Sequence, residues 1–285
     1  MTFEQYLQDK RYSPATINRY RLYEEVFTGW LHQEQISGEQ AGYNDVIAFM
    51  RYQQNKGKSK RTIHNQLNIL RHYFTWLIAE GRREDNPAAG VYVRGIVRRL
   101  PSGLLTMDEL EELHRRYQLQ LNVSLAKKIM LGLLVYQGLQ SEEINRLEAA
   151  HIHLKEGKIF IKGTPWSNER WLTLQAHQVV ELQQYLAAHR GREGQLFLPT
   201  DRINASPKSL HNRMKHMIVQ LQKLNPKIIN ANQIRNSVIT FWLQRYHLRQ
   251  VQYMAGHKYV SSTQRYQVLN SDDWQSELQK YHPMG

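Results

Sequence analysis

Apolar positions recur at helical spacing along most of this chain. Tyr20, Tyr23, Phe27 and Leu31 fall three or four residues apart, as do Ile63, Leu67, Leu70, Phe74 and Leu77. That period puts each set on one stripe of a helix, the stripe that packs. Both runs open on the same phrase, Ser-x-x-Thr-Ile, at Ser13 and again at Ser59. A serine there can accept a hydrogen bond from the first free backbone N–H groups, and Pro14 suits the first helical position. On the second run Lys60, Arg61, His64, Asn65, Asn68 and Arg71 fall off the apolar stripe, so one face packs and the other can meet phosphates. Residues 1 to about 90 read as all helical.

Gly81 and the phrase EDNPAAG break the period, which puts a boundary near Asn86 to Gly90. A basic connector, VRGIVRRLPSG, follows and carries Arg94, Arg98 and Arg99. We therefore divide the chain into a helical domain over 1–90, a basic linker over 91–104 and a second domain over 105–285. The second domain starts on Thr106 and Glu109, which have capping-box spacing. KKIMLGLLVYQGLQSEEINRLE then predicts a very apolar helix stopped at Gly138 and a new helix that Ser141 can cap, with Gln140 in the joint. AHIHLKEGKIFIKG and ERWLTL are short, β-branched or alternating, and are separated by turn phrases, so they predict a three-stranded meander. Helices return from about His177, after a Ser206-Pro207 cap, and where Ile239, Trp242, Leu243 and Tyr246 keep helical spacing. At the end, Ser271 can cap a short amphipathic helix bearing Trp274, Leu278 and Tyr281. The fold class is mainly α, with a small β-meander.

Charge changes the picture from fold to partner. The chain carries a formal net charge of +13, and the excess is concentrated. Residues 46–79 hold six bases and no acid, and residues 202–271 hold eleven bases and again no acid. Cations without local partners point to an external polyanion, with nucleic acid foremost. The chain has no cysteine, so a disulfide framework and a thiolate zinc site are both excluded. No apolar run approaches the roughly 18 residues that cross a bilayer, and the N-terminus has no secretory pattern. The expectation is a cytoplasmic, nucleoid-associated protein without a membrane partner.

Several chemistries drop out in turn. His151 and His153 would share one face of a strand, but no third ligand stands at a zinc spacing. A Gly-x-Ser-x-Gly elbow and a glycine-rich phosphate loop are both missing. Tyrosine and the basic residues remain.

From Asn232 onward, NQIRNSVITFWLQ followed by YMAGHKYVSSTQRY resembles the catalytic end of the tyrosine recombinases, the phage-integrase family. In that family a His-x-x-Arg box opens a helix, a Leu-Gly-His box follows some twenty residues later, and the nucleophilic tyrosine stands nine residues after that histidine. Here His257 lies 22 residues after Arg235, and Tyr266 lies 9 after His257. YQGLQSEEINRLE resembles the box that normally reads Gly-Leu-Arg-x-Ser-Glu-Leu. The resemblance covers nearly the whole chain and implies a SAM-like core-binding domain followed by a catalytic domain, forming a two-domain clamp around duplex DNA.

It further implies a site-specific recombinase or integrase, as carried by mobile elements, working through a 3′-phosphotyrosyl link without metal or nucleotide cofactor. Tyr266 would attack the phosphate, Arg235 would clamp a non-bridging oxygen, and His257 would hydrogen-bond the same phosphate. Lys162 at the meander turn would be the acid for the 5′-oxygen, with Lys158 or Arg170 as alternatives. Lys58, Lys60, Arg61, His64, Arg71, Arg98, Arg99, Lys208, Arg213 and Lys215 are the candidate contacts to double-stranded DNA. The terminal helix either closes its own domain or, as the resemblance implies, packs on a neighbouring protomer, giving a homo-oligomer, dimer to tetramer, or an assembly with a paralogous recombinase.

Two positions depart from the family pattern. Gln140 stands where its first arginine stands, and Asn232 where the histidine of His-x-x-Arg stands. An amide lacks the charge-assisted, bidentate grip of guanidinium, and one lost transition-state donor costs about 10²–10³ in rate. Arg146 and Arg170 are candidates to compensate. The alternative is a cleavage-impaired accessory or regulatory DNA-binding member of the same family.

Overall fold

The computed structural model describes residues 1–96, 102–190, 194–197 and 207–267, the side chains of 207–210 excepted. The chain divides into two compact units, Met1–Arg98 and Arg99–Gly285. Arg98, Arg99, the Lys208 side chain, the Ser206 cap and the tail after 267 lie outside the described residues.

The first unit holds α1 (Phe3–Asp9), α2 (Pro14–Gln33), α3 (Tyr43–Asn55) and α4 (Lys60–Ala79). The repeated Ser-x-x-Thr phrase does the same work twice. Ser13 and Ser59 each sit in extended backbone and accept from the N–H of Thr16 and Thr62, with Pro14 at the first turn of α2. Replacing Ser59 by alanine removes that acceptor and is expected to cost about 1 kcal/mol of stability, read from the urea midpoint. The stripe of α4 is fully buried from Ile63 to Leu77, whereas Tyr20 and Tyr23 of α2 are only half-buried at its rim. Phe27 fills the centre, with edge-on contacts to Phe49, Tyr73 and Phe74. Arg71 turns inward to the start of the connector, donating to the carbonyls of Ala88 and Val91.

The second unit is built around α6 (Leu125–Gln137), whose Ile129, Met130, Leu131, Leu133, Leu134 and Val135 are all buried. A helix apolar all round must be covered on every side. It is enclosed by α5 (Met107–Gln118), α8 (Ala176–Ala188), α9 (Pro207–Leu224) and α10 (Ala231–Arg245). Thr106 and Glu109 close the capping box on α5. Gly138 ends α6 in left-handed backbone at φ 55°, where glycine carries no Cβ penalty. The next helix, α7 (Ser141–Asn145), differs from the sequence reading at its cap. The N-cap is Gln140, and Glu143 reaches back to its N–H, so Ser141 is already helical.

The meander forms as an antiparallel sheet of β1 (Ile152–His153), β2 (Lys158–Ile161) and β3 (Arg170–Thr173). His151 belongs to the 3₁₀ turn before β1, so it does not share a strand face with His153. In α10, Ile239 and Trp242 are buried, but Tyr246 is the exposed C-cap, because the helix ends one residue before the apolar period does. The last elements are α11 (Leu248–Ala255) and a helical stretch over residues 261–267. Among the described residues no helix is long and apolar enough to cross a membrane.

Candidate active site

Arg235 lies in the second turn of α10, a helix capped by the Asn230 side chain. It is buried, yet its guanidinium faces two helix ends. Nη1 donates to the carbonyl of Gly138 after α6, and Nη2 donates to the carbonyl of Ala255 at the end of α11, at 2.6 Å. Unpaired carbonyls make a helix C-terminus partly negative, so both ends favour the cation. Burial, foremost, pulls the Arg235 pKa down to about 10, while Glu143 opposes that shift. The side chain therefore stays charged at neutral pH. A guanidinium has five N–H donors, and these bonds leave some of them for a ligand. Arg235 also lines a pocket of about 190 Å³ together with Leu139, Gln140, Ser141, Glu142, Ala231 and Asn232. The two positions that depart from the family pattern thus share one cavity with the arginine.

Glu143 anchors this arrangement from behind. Its carboxylate accepts from Arg170 Nη1 and Nη2 at 2.8 and 3.0 Å, and Arg235 Nη1 lies 3.7 Å away. Burial works most strongly against its charge, but the Arg170 hydrogen bonds and the charges of Arg170 and Arg235 together hold its pKa below the usual carboxylate range. Arg170 is fully buried, and its Nε donates to the carbonyl of Met254. Gly256, at φ 68°, lies so close that an added Cβ would collide with the Arg170 guanidinium.

This corrects two expectations. Arg170 is neither a general acid nor a compensating guanidinium, because every nitrogen of its fork is engaged inside the protein. Arg146 is exposed and paired with Glu142 at 2.8 Å. Lys158 starts β2, opposite Thr173, at the far end of the strand from the turn. Lys162 is the basic residue at the turn itself, exposed directly after β2. That turn is stitched to the loop after α11: Ser167 bridges His257, Asn168 N donates to the Gly256 carbonyl at 3.0 Å, and Lys258 reaches the carbonyl of Pro165.

His257 and Tyr266 stack with near-parallel rings, 6.1 Å between centroids and 13° between planes. The imidazole Nδ1 lies 2.8 Å from Thr263 Oγ1. Burial and then the charges of Arg235, Arg265 and Arg170 push the His257 pKa down to about 3, so the ring is neutral. Tyr266 is 1% exposed. Its hydroxyl donates to Asn236 Oδ1 at 2.8 Å and accepts from Arg265 Nη2 at 2.8 Å. The spacing of Arg235, His257 and Tyr266 along the chain thus resolves into one cluster. Glu143, Asn236, Thr263 and Arg265 were missed as site residues. Only adjacency to Arg235 and Tyr266 could have flagged Asn236 and Arg265, and nothing in the sequence could have shown which way they turn.

Buried neutral histidines carry a pH signature. His114 is also buried, and its pKa falls to about 4 through desolvation and then His177. Both groups have folded values below the unfolded value of about 6.5, so the unfolded chain binds protons first as the pH falls. Their contribution is complete above about pH 6.5 and declines through the window down to about pH 4 and pH 3. Stability is expected to drop by about 1–2 kcal/mol per histidine between pH 7 and pH 5, measured by urea unfolding at the two values.

The basic candidates divide by environment. Lys58, Lys60 and Arg61 are exposed at the start of α4, where two cations in a first turn without acids oppose the helix dipole. His64 is half-buried beside Asn68, and Arg71 is tied to the connector. Arg213 donates to the Phe197 carbonyl, and Lys215 is exposed.

A mainly helical unit thus gathers a tyrosine, a histidine and an arginine beside a small polar pocket. Residues 1–81 match the model of the phage integrase N-terminal SAM-like domain, and residues 104–272 match that of the phage integrase family. The chain belongs to the phage integrase family. It is 26% identical to tyrosine recombinase XerC of Oceanobacillus iheyensis over 99% of this chain and 95% of that one. It is also 26% identical to tyrosine recombinase XerD of Proteus mirabilis, over 96% and 88%. Among solved structures, the Tn1549 transposon integrase in complex with a circular intermediate DNA is similar at TM-score 0.68, 16% identity, and 93% and 95% coverage. A lambda integrase dimer bound to a COC′ core site is similar at TM-score 0.68, 15% identity, and 93% and 92% coverage. These two likenesses establish the fold.

Proposed function

We propose that the protein is a site-specific DNA recombinase that exchanges strands through a 3′-phosphotyrosyl intermediate. The observation that carries this reading is the convergence of Tyr266, His257 and Arg235 in a chain of the phage integrase family. Arg235 keeps its charge and offers its remaining donors to a non-bridging phosphate oxygen. Gln140 and Asn232 add amide donors from the same pocket. His257 acts as a neutral donor: if Thr263 donates to Nδ1, the proton sits on Nε2 and can face the phosphate.

The Tyr266 hydroxyl exchanges its bond to Asn236 for the phosphorus. As the Oη–P bond forms, the phenolic proton passes to water. The P–O5′ bond breaks, and Lys162 protonates the leaving 5′-oxygen. The phosphodiester energy is kept in the new ester, so rejoining by the reverse steps needs no nucleotide or metal cofactor. The partner is double-stranded DNA, with Lys58, Lys60, Arg61 and Lys215 exposed to contact phosphates. The protein works as a homo-oligomer, dimer to tetramer, or beside a paralogous recombinase, in the cytoplasm on the nucleoid or a mobile element.

The test is to incubate the full chain with fragmented DNA from its own source, denature, and sequence whatever remains covalently bound. Adducts enriched at one sequence are expected. Specific binding without any adduct would overturn cleavage and leave a DNA-bound accessory protein.

A further inference from the structure

The glutamine at position 140 leaves the site one guanidinium short, and the structure removes both replacements that the sequence suggested. Arg170 is locked onto Glu143, and Arg146 is paired with Glu142 at the surface. A third arginine stands where the chemistry occurs. Arg265 Nη2 donates to the Tyr266 hydroxyl oxygen at 2.8 Å, and its Cζ lies 4.8 Å from the centre of the Tyr266 ring. Its charge also bears on both other members of the cluster, lowering the pKa of His257 and of Arg235. The residue is exposed and has no carboxylate partner among the described residues. Most of its fork is therefore open to an incoming anion.

We propose that Arg265 is a catalytic residue that supplies the guanidinium missing at Gln140. One arm stays on the tyrosine oxygen, and the other takes a non-bridging oxygen of the scissile phosphate as the Oη–P bond forms. The proposal rests on the reading of this site as a DNA-cleaving one. The fork geometry suits it, because a planar guanidinium can hold two neighbouring oxygens at once, while an ammonium is a single point of charge. The phenolic oxygen loses its proton next to a cation already in contact with it, and the five-coordinate phosphorus meets the charges of both Arg235 and Arg265. In the preorganised site neither group has to be recruited at the moment of attack. The bonds made and broken are those given above, and Arg265 neither gains nor loses a proton.

The experiment measures single-turnover adduct formation by the full chain on a nicked duplex carrying the captured site, together with the Kd for that duplex. Arg265→Ala is expected to slow adduct formation by about 10²–10³ with little change in Kd, as for other lost transition-state donors. Arg265→Lys should recover only part of the rate. Gln140→Arg placed in the Arg265→Ala chain should raise the rate well above that of Arg265→Ala alone, because it returns a guanidinium to the pocket that Arg235 lines. A merely structural role for Arg265 would let Gln140→Arg raise the rate by the same factor in either background, whereas a shared role makes the gain larger in the Arg265→Ala chain than in the wild-type chain. An Arg265→Ala rate within a few-fold of wild type overturns the proposal, as does a slowing that only mirrors lost affinity, or a double variant no faster than the single one. If the wild-type chain makes no adduct on any DNA, the cleavage reading itself fails and the proposal falls with it, a result distinct from a working enzyme that is indifferent to Arg265.

Discussion

Tyr266→Phe is expected to abolish covalent capture of DNA and to leave specific binding close to that of the wild type. The substitution keeps the ring, which is buried and stacked on His257, and removes only the oxygen. Two hydrogen bonds go with it, one to Asn236 and one from Arg265. Their loss lowers stability by about 0.5–1.5 kcal/mol for the neutral bond to Asn236 and up to about 1.5–3 kcal/mol for the one from charged Arg265, still within what a folded domain tolerates. The chemical effect should be complete, because the oxygen that forms the ester to phosphorus is gone. Capture and sequencing of the adducts, run beside a salt-matched binding titration, separates the two effects. Adducts that persist in Tyr266→Phe would name another nucleophile and sink the assignment. A parallel loss of affinity would mean that the hydroxyl serves DNA binding rather than attack.

Glu143→Ala is expected to be the most damaging single change to the fold of the catalytic unit. Glu143 and Arg170 have side chains only 2% and 0% exposed, and their bidentate contact holds α7 to β3. Removing the carboxylate leaves one guanidinium buried without a counter-charge and takes the nearest anion from Arg235 as well. Breaking a buried pair in this way typically costs about 3–5 kcal/mol, which a urea titration resolves easily. Replacing both partners with apolar residues, Glu143→Leu with Arg170→Met, should be much milder, since no charge is then stranded. A cost below about 1 kcal/mol for Glu143→Ala would show that Arg170 finds water or another carboxylate. Cleavage should fall in the single variant beyond its loss of stability, because Arg235 would lose its rear support.

Helix starts and stops were legible in the sequence because they depend on atoms within four residues. Ser13, Ser59 and Thr106 cap where the phrases say, and Gly138 stops α6 in left-handed backbone. The strands of the meander were legible for the same reason, with turn residues and alternation both local. Two local signals compete at one joint: Ser141 is a good cap, yet Glu143 draws the N-cap back to Gln140. The order and spacing of Arg235, His257 and Tyr266 were also visible, as was the departure at Gln140.

Tertiary structure alone decided which arginine does what. Arg146, Arg170, Arg235 and Arg265 are the same residue type in basic or mixed surroundings, and nothing in their neighbours along the chain separates them. Their partners come from distant segments: Glu143 for Arg170 and the ends of α6 and α11 for Arg235. For Arg265 the deciding contact is with the adjacent tyrosine, but only the packing of that ring against His257 turns the hydroxyl to meet it. The energy of a buried charge depends on what surrounds it in space. Sequence by itself therefore determined the helical framework and the spacing of Arg235, His257 and Tyr266, while the assignment of guanidiniums between scaffold and chemistry waited for the fold.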